Sequence, residues 1–162
     1  MKIKSAKGFS LIELLIVIAI LATILSMAVP NFNRYRDNAN LREAAGEISG
    51  DIQLYKQSAI AENREYRVNF NAVANTYTIQ KQTAFNSTTY NDVITKNVGA
   101  GNANIVMSNS PSFFPGGLTY VRLDPRGTSG NGTIVLTHNI RTSTATITIT
   151  TMGRVRVEYD LK

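Results

Sequence analysis

The chain has 162 residues, of which 43% are hydrophobic, with 17 basic and 11 acidic side chains and a formal net charge of +6. This length allows one domain of roughly 100 residues behind an apolar N-terminal segment. The absence of cysteine and the single histidine exclude disulfides, thiolate metal sites and a structural zinc centre, so the fold must depend on its own hydrophobic core.

The first element is an apolar run that follows a short basic leader. Three lysines lie within residues 1–8, and Glu13 is the single charged residue between Leu11 and Val29. As a helix these 19 residues are about 28 Å long, close to the ~30 Å hydrocarbon core of a bilayer. By the positive-inside rule the leader stays in the cytoplasm, and the chain that follows the apolar run lies on the opposite side of the membrane. We therefore predict a membrane-spanning helix over residues 9–29.

Glu13 distinguishes this segment from two ordinary alternatives. A secretory signal peptide would have the same basic start and a small-residue cleavage site at Ser26-Met27-Ala28, and a plain single-pass anchor would have a similar length. Neither accounts for a carboxylate in lipid, where an ionised side chain at a helix centre costs about 2.5–3.5 kcal/mol. A nearby cation is needed, and cleavage between Gly8 and Phe9 would create one as a new amino terminus.

The residues around that cut resemble a known processing signature. Residues 7–18 read KGFSLIELLIVI, which is similar to the prepilin signature of type IV pilins and type II secretion pseudopilins. The resemblance implies removal of residues 1–8 by a prepilin peptidase, which cuts after Gly8, and methylation of the Phe9 amine. It also implies storage in the inner membrane with a periplasmic C-terminal domain, followed by assembly with other pilins or pseudopilins into a filament.

Glu13 then has a physical role in assembly. In a bundle of such helices, Glu13 of one subunit would meet the Phe9 ammonium of its neighbour in a medium of low dielectric constant. Removing one partner from a buried ion pair is costly, so a subunit docked at the wrong height would bury an unpaired charge. Loss of the leader also removes three lysines, which leaves 14 basic and 11 acidic side chains and a balance of +3.

The helical pattern resumes beyond Pro30. Pro30 removes one backbone donor and should bend the helix rather than end it. Apolar residues then recur at spacings of three and four over about five turns, which predicts residues 30–63 as an amphipathic continuation of the helix that packs on a sheet. The apolar stripe comprises Leu41, Ala45, Ile48, Ile52, Tyr55 and Ala59, and the opposite face carries Arg42, Glu43, Glu47, Asp51 and Lys56.

From Tyr66 onward the apolar period changes to two, which predicts a β-rich domain over residues 64–162. The segment Thr83–Ala103 is polar and weakly patterned, and Ser108–Gly117 and Asp124–Gly132 are expected to be loops. The predicted fold is α+β, with a long N-terminal helix packed on antiparallel sheet. Candidate strands are Tyr66–Phe70, Thr76–Gln82, Val93–Asn97, Asn104–Met107, Leu118–Asp124, Thr133–Thr137, Thr144–Thr150 and Arg154–Tyr159.

A second resemblance lies within this domain. It involves YVRLDPRGTS (residues 120–129), GTIVL (132–136) and MGRVRV (152–157), which are similar to the GspH/FimT/FimU group of minor pilins and pseudopilins. The resemblance implies a low-abundance subunit near the tip of a type IV pilus. The open alternative is an H-type pseudopilin of a type II secretion system, which acts in protein export.

The sequence offers no set of reactive groups for catalysis. His138 stands in a polar Thr-His-Asn stretch and is predicted to be an exposed residue at a strand end or turn. The loop from Asp124 to Gly132 suggests calcium, but its single carboxylate provides too few charged oxygen ligands. We therefore expect no enzymatic activity, no metal and no cofactor.

The arginines near the C-terminus are the candidate binding residues. In a strand, Arg154 and Arg156 project from one face about 6.6 Å apart, so their guanidinium groups can bridge successive phosphates. Arg126 and Arg141 are further candidates. In FimT-type pilins, a terminal Gly-Arg-x-Arg element is linked to DNA capture during natural transformation, and the resemblance implies sequence-independent DNA binding here. Two acidic residues further along the same strand face would neutralise part of this charge.

Overall fold

The computed structural model describes residues 9–99, 104–108 and 119–162. It divides between Arg36 and Asp37 into two compact units. The helix and strands of the described residues are α1 Leu11–Glu62, β1 Tyr66–Asn71, β2 Thr76–Gln82, β3 Tyr90–Asn97, β4 Ile105–Met107, β5 Tyr120–Leu123, β6 Gly132–His138, β7 Thr144–Ile149 and β8 Val155–Asp160.

The N-terminal unit is the first half of α1, whose apolar side chains are exposed. Leu14, Ile18 and Leu21 each remain 52% exposed, and the helix is long and apolar enough to cross a membrane. An apolar surface of this extent is stable when lipid or other helices cover it. Thr23 and Ser26 donate hydrogen bonds to carbonyls within the preceding turn, at 2.8 and 2.7 Å, so their hydroxyl groups need no partner in lipid.

In the C-terminal unit the strands form two four-stranded antiparallel sheets. Sheet A has the order β3-β2-β1-β5, and sheet B has the order β4-β6-β7-β8. In sheet B, Ile147 of β7 lies opposite Ile134 and Val157, so buried positions are aligned across the strands. The sequence predicted antiparallel pairing but not the division into two sheets, because a period of two shows which side chains share a face and not which strands are neighbours.

The part of α1 within the C-terminal unit buries the predicted apolar stripe. Its aliphatic members form one core cluster with the inner faces of both sheets, and Tyr55 packs against that cluster while remaining partly exposed. Each fully buried aliphatic side chain of this size contributes about 1.5–3 kcal/mol relative to an exposed one. The fully buried members of the stripe are Leu41, Ala45, Ile48, Ile52 and Ala59.

Part of the charged face of α1 also contacts the sheets. Lys96 of β3 places its Nζ 2.8 Å from Asp51 and 3.1 Å from Glu47, and Tyr77 donates a hydrogen bond of 2.7 Å to Asp51. Lys56 donates a hydrogen bond to the β7–β8 turn. The sequence assigned these residues to the side away from the sheet, which is wrong because two sheets cover more of the helix than one does.

Strand β3 is longer than predicted. It begins at Tyr90 rather than Val93, within the segment that showed no clear pattern. Seven of its eight residues pair with the seven residues of β2, around one bulge. Its pairing includes polar contacts such as Thr78 with Thr95 at 2.9 Å. Because most of β3 is exposed, its sequence lacks the alternation of buried and exposed residues that identifies a strand.

Tyrosines with raised pKa values, among them the buried Tyr66 and the half-buried Tyr90, make the stability of this unit sensitive to alkaline pH. Burial and a hydrogen bond to Glu62 raise the pKa of Tyr66 to about 12, and burial and a hydrogen bond to Glu65 raise the pKa of Tyr90 to about 12. Between the ordinary pKa of 10.0 and about 12, the unfolded chain releases protons that the folded chain retains. The free energy of unfolding should therefore fall as pH rises through this window.

Replacement of either tyrosine by phenylalanine tests this expectation. Tyr66→Phe and Tyr90→Phe should each make the decline between pH 10 and about 12 shallower in urea unfolding followed by circular dichroism. The exposed Tyr35→Phe serves as the control, since Tyr35 is 71% exposed. Equal slopes for all three variants would contradict the assignment of part of the pH dependence to Tyr66 and Tyr90.

Candidate functional site

Two loops meet at one end of sheet B. The loop after β5 contacts the β7–β8 turn through Ser129, whose backbone N–H donates to Thr151 O at 3.0 Å and whose hydroxyl donates to Thr150 O at 2.8 Å. This contact brings the loop that carries Arg126 next to the turn that precedes β8, where Arg154 and then Arg156 follow. We call this surface, with Arg126, Arg154 and Arg156, the basic end.

The β7–β8 turn is held in a conformation that suits glycine. Gly153 has φ +69°, in the left-handed region that glycine adopts without steric cost. A Cβ at this position would lie 2.7 Å from the carbonyl oxygen of Gly127 and 2.7 Å from Lys56 Nζ. Lys56 in turn donates a hydrogen bond of 2.9 Å to the carbonyl of Gly153. The helix and the β5–β6 loop therefore fix the turn from which Arg154 projects.

Arg154 and Arg156 are exposed, while Val155 and Val157 are half-buried on the core side of β8. Arg156 contacts Glu158 at 2.9 Å, with side chains 73% and 56% exposed, and an ion pair this exposed contributes little. Among the residues that the structure describes, Arg154 forms no side-chain ion pair or hydrogen bond. Its guanidinium group is therefore available to an external anion.

Arg141 lies at the other end of sheet B. The β6–β7 turn adjoins the pair Thr144–Asp160, whereas the basic end adjoins the pair Ile149–Val155, five residues or about 16 Å away along the strand. Arg141 Nε also donates to Asp37 Oδ2 at 3.1 Å, which attaches the β6–β7 turn to α1. The structure thus separates Arg141 from the other candidate arginines.

The predicted exposure of His138 is wrong. Its side chain is 1% exposed. The reason is that β6 continues to His138, whose side chain points into the core as those of Ile134 and Leu136 do at every second position. Its Nδ1 accepts the backbone N–H of Arg141 at 3.3 Å, and its Nε2 lies 3.9 Å from Asp37 Oδ1. The apolar alternation of β6 was the signal that would have placed this histidine inside.

The Asp124 loop has its carboxylate engaged within the protein. One oxygen accepts the backbone N–H of Arg126 at 3.0 Å, and the other accepts Arg122 at 2.8 Å. In the described parts of the chain, no cluster of three acidic or histidine side chains is arranged to hold a metal ion. This geometry favours a turn that connects two strands over a cation site.

The second candidate site is at the start of α1. Phe9 is 78% exposed, and Glu13 lies in the first helical turn, where Leu14 N–H donates to Ser10 O at 3.2 Å. Phe9 lies two residues before the start of α1 and four residues before Glu13 in the sequence. Gly8 and the other residues of the predicted leader, residues 1–7, lie outside the described residues.

Comparisons with known protein families match both parts of the chain. Residues 3–29 match the prokaryotic N-terminal methylation motif, and residues 44–153 match the family described as type II transport protein GspH. These matches cover the apolar N-terminal segment and most of the C-terminal unit.

Two curated relatives match shorter stretches. The chain is 37% identical over 62 residues to a fimbrial protein of Pseudomonas aeruginosa, covering 38% of this chain and 40% of that protein. It is 30% identical over 69 residues to competence protein ComGD of Bacillus subtilis (strain 168), covering 43% and 48%. The chain thus spans less than half the length of these relatives.

Solved structures share the fold. The minor pseudopilin EpsH from the type II secretion system of Vibrio cholerae aligns with a TM-score of 0.58 at 12% identity, over 74% of this chain and 96% of that one. The type IV minor pilin FimU of Pseudomonas aeruginosa aligns with a TM-score of 0.57 at 14% identity, over 76% and 92%. Both have the architecture described above, with a helix packed on antiparallel sheets.

Proposed function

The chain belongs to the family described as type II transport protein GspH, and from that premise we propose that it is a minor pilin of a type IV pilus. In this proposal prepilin peptidase cuts after Gly8, the Phe9 amine is methylated, and the subunit is stored in the inner membrane with its C-terminal unit in the periplasm. It then joins other pilins near the filament tip. The observation that carries the proposal is the methylation motif on an exposed apolar helix that continues into the family's domain.

The similarity to a fimbrial protein and the fold shared with FimU support a pilus. The family's description and the fold shared with EpsH favour the second candidate, an H-type pseudopilin in protein export. A deletion strain separates the two. Loss of surface pili with normal protein export supports the pilus subunit, and loss of export with normal pili supports the pseudopilin.

DNA binding at the basic end is the finer part of the proposal. Two exposed guanidinium groups on one strand face suit successive phosphates, and a relative over 69 residues is named a competence protein. Phosphate contacts carry no base information, so binding should be independent of sequence and weakened by salt.

Arg154→Ala combined with Arg156→Ala should weaken DNA retention by the full chain in detergent and lower the slope of log K against log salt by about 2, because each lost phosphate contact removes ~0.9 from the slope. Electrophoretic mobility shifts over a salt series measure both effects. Lys162→Ala is the control, an exposed cation beyond the other end of β8. An unchanged shift and slope in the double variant would exclude these arginines as the DNA contact.

A further inference from the structure

The β6–β7 turn lies at the end of the C-terminal unit where α1 enters it. The unit begins at Asp37, and Arg141 of the turn donates a hydrogen bond to the Asp37 carboxylate at 3.1 Å. Directly after the turn, the hydroxyl of Ser143 donates to Asn38 Oδ1 at 3.1 Å. The turn is therefore fixed to the first residues of α1 within this unit.

The β1–β2 turn lies at the same end of the unit. Asn75 Nδ2 donates to the carbonyl of Ile105 at 2.8 Å, and Ile105 is opposite His138, the last residue of β6. The carbonyl of Asn104 accepts the backbone N–H of Asn139, the first residue after β6, at 2.8 Å. The start of β4 and the residue before it thus contact both turns, which places the two turns close together.

Each of these turns exposes one branched aliphatic side chain. Val73 is 91% exposed and Ile140 is 67% exposed. The charge next to Ile140 is neutralised within the protein, because Arg141 is paired with Asp37. Binding to a membrane surface strengthens with the apolar area that enters the headgroup region, and these two side chains supply such area.

The chain length between the apolar run and this end limits its distance from a membrane. Asp37 follows Val29, the last residue of the predicted span, by eight positions, or ~12 Å of helix. The headgroup layer itself extends roughly 5–7 Å beyond the hydrocarbon on each side. We propose that Val73 and Ile140 contact the phospholipid surface where α1 leaves the membrane. This proposal rests on the proposed function, because it requires residues 9–29 to span a membrane.

Such a contact would orient the stored subunit. The basic end lies at the other end of sheet B, about 16 Å away along the strands, so it would face away from the lipid. Exposed arginines are attracted to anionic headgroups, which would compete with DNA for them. Two aliphatic side chains bury little area, so the contact would be reversible and would break when the subunit leaves the membrane for the filament.

Single tryptophans test the contact, because the chain has none of its own. The full chain is reconstituted in vesicles of phosphatidylethanolamine and phosphatidylglycerol that contain a lipid with a nitroxide on its headgroup, which quenches fluorescence at short range. Val73→Trp and Ile140→Trp should each be quenched several-fold more than Met152→Trp. Met152 is the matched control, since it is 85% exposed and lies on the β7–β8 turn. Equal quenching at all three positions would overturn the proposal.

An added charge tests whether the two turns contact one surface. In the Ile140→Trp chain, Val73→Asp should lower the quenching several-fold, because the anionic headgroups repel a carboxylate. Met152→Asp in the same chain should leave the quenching unchanged. Protease resistance equal to that of the parent shows that each variant is folded. Quenching that Val73→Asp does not alter would overturn the shared surface.

Ile18→Trp distinguishes failure of this proposal from failure of the proposed function. Ile18 lies within the predicted span, so lipids with brominated acyl chains should quench this tryptophan strongly. Strong quenching of Ile18→Trp without headgroup quenching of Ile140→Trp would overturn the surface contact and leave the membrane anchor intact. An Ile18→Trp chain that the brominated lipids do not quench would overturn both.

Discussion

Glu13→Ala is expected to leave the subunit processed and inserted in the membrane while its incorporation into filaments falls more than about a hundredfold. Removing one partner of a buried ion pair costs roughly 3–5 kcal/mol, and in the assembled bundle the Phe9 ammonium of the neighbouring subunit would lose its carboxylate. Immunoblots of sheared filaments and of the membrane fraction measure the ratio of incorporated subunit to subunit that remains in the membrane.

A matched control shows whether the effect depends on the position of the lost carboxylate or only on the loss of one negative charge from α1. Glu43→Ala removes an exposed acidic residue elsewhere on α1 and should incorporate normally. N-terminal sequencing should find Phe9 first in the parent and in both variants. Normal incorporation of the Glu13 variant would refute the pairing, and a mature chain that begins near Val29 would show that an ordinary signal peptide had been removed.

Gly153→Ala should lower the free energy of unfolding by about 2–3 kcal/mol. A side chain in the left-handed region costs roughly 1–2 kcal/mol, and Gly153 has φ +69°. The new Cβ would also lie 2.7 Å from Lys56 Nζ, so the hydrogen bond from Lys56 to the turn would break at a cost of about 1 kcal/mol. Urea unfolding followed by circular dichroism measures the loss.

Gly127→Ala is the control that separates the cost of losing the Lys56 contact from the cost of placing a side chain at a positive φ. Gly127 has φ +81°, but a Cβ there would lie 3.4 Å from Ile60 Cδ1, which is ordinary van der Waals contact. This variant should therefore show only the conformational cost of roughly 1–2 kcal/mol. Equal losses at the two glycines would indicate that the Lys56 contact contributes nothing to stability.

Local periodicity explains what the sequence predicted about the fold. The spacing from Leu41 to Ala59 placed one side of α1 in the core, and alternation identified strands such as β7 because each has one buried face. Contacts between distant segments were not visible in this way. Arg141 and Asp37 are 104 residues apart, and nothing in either local sequence marks them as partners.

The same distinction holds at the basic end. The period of two put Arg154 and Arg156 on one face of a strand, since that depends only on spacing. The proximity of Arg126 depends instead on the packing of one loop against another, through Ser129 and the close approach of Gly127 to Gly153. Such packing is a tertiary property that a local pattern does not encode.

The polar attachments of α1 determine how the C-terminal unit would respond to traction. Asp51 is tied to sheet A through Lys96, and Asp37 is tied to sheet B through Arg141. A subunit gripped by its helix therefore shares mechanical load between both sheets. A force along the helix axis acts on the Asp51–Lys96 and Asp37–Arg141 ion pairs together, so the helix does not separate from one sheet while it remains attached to the other.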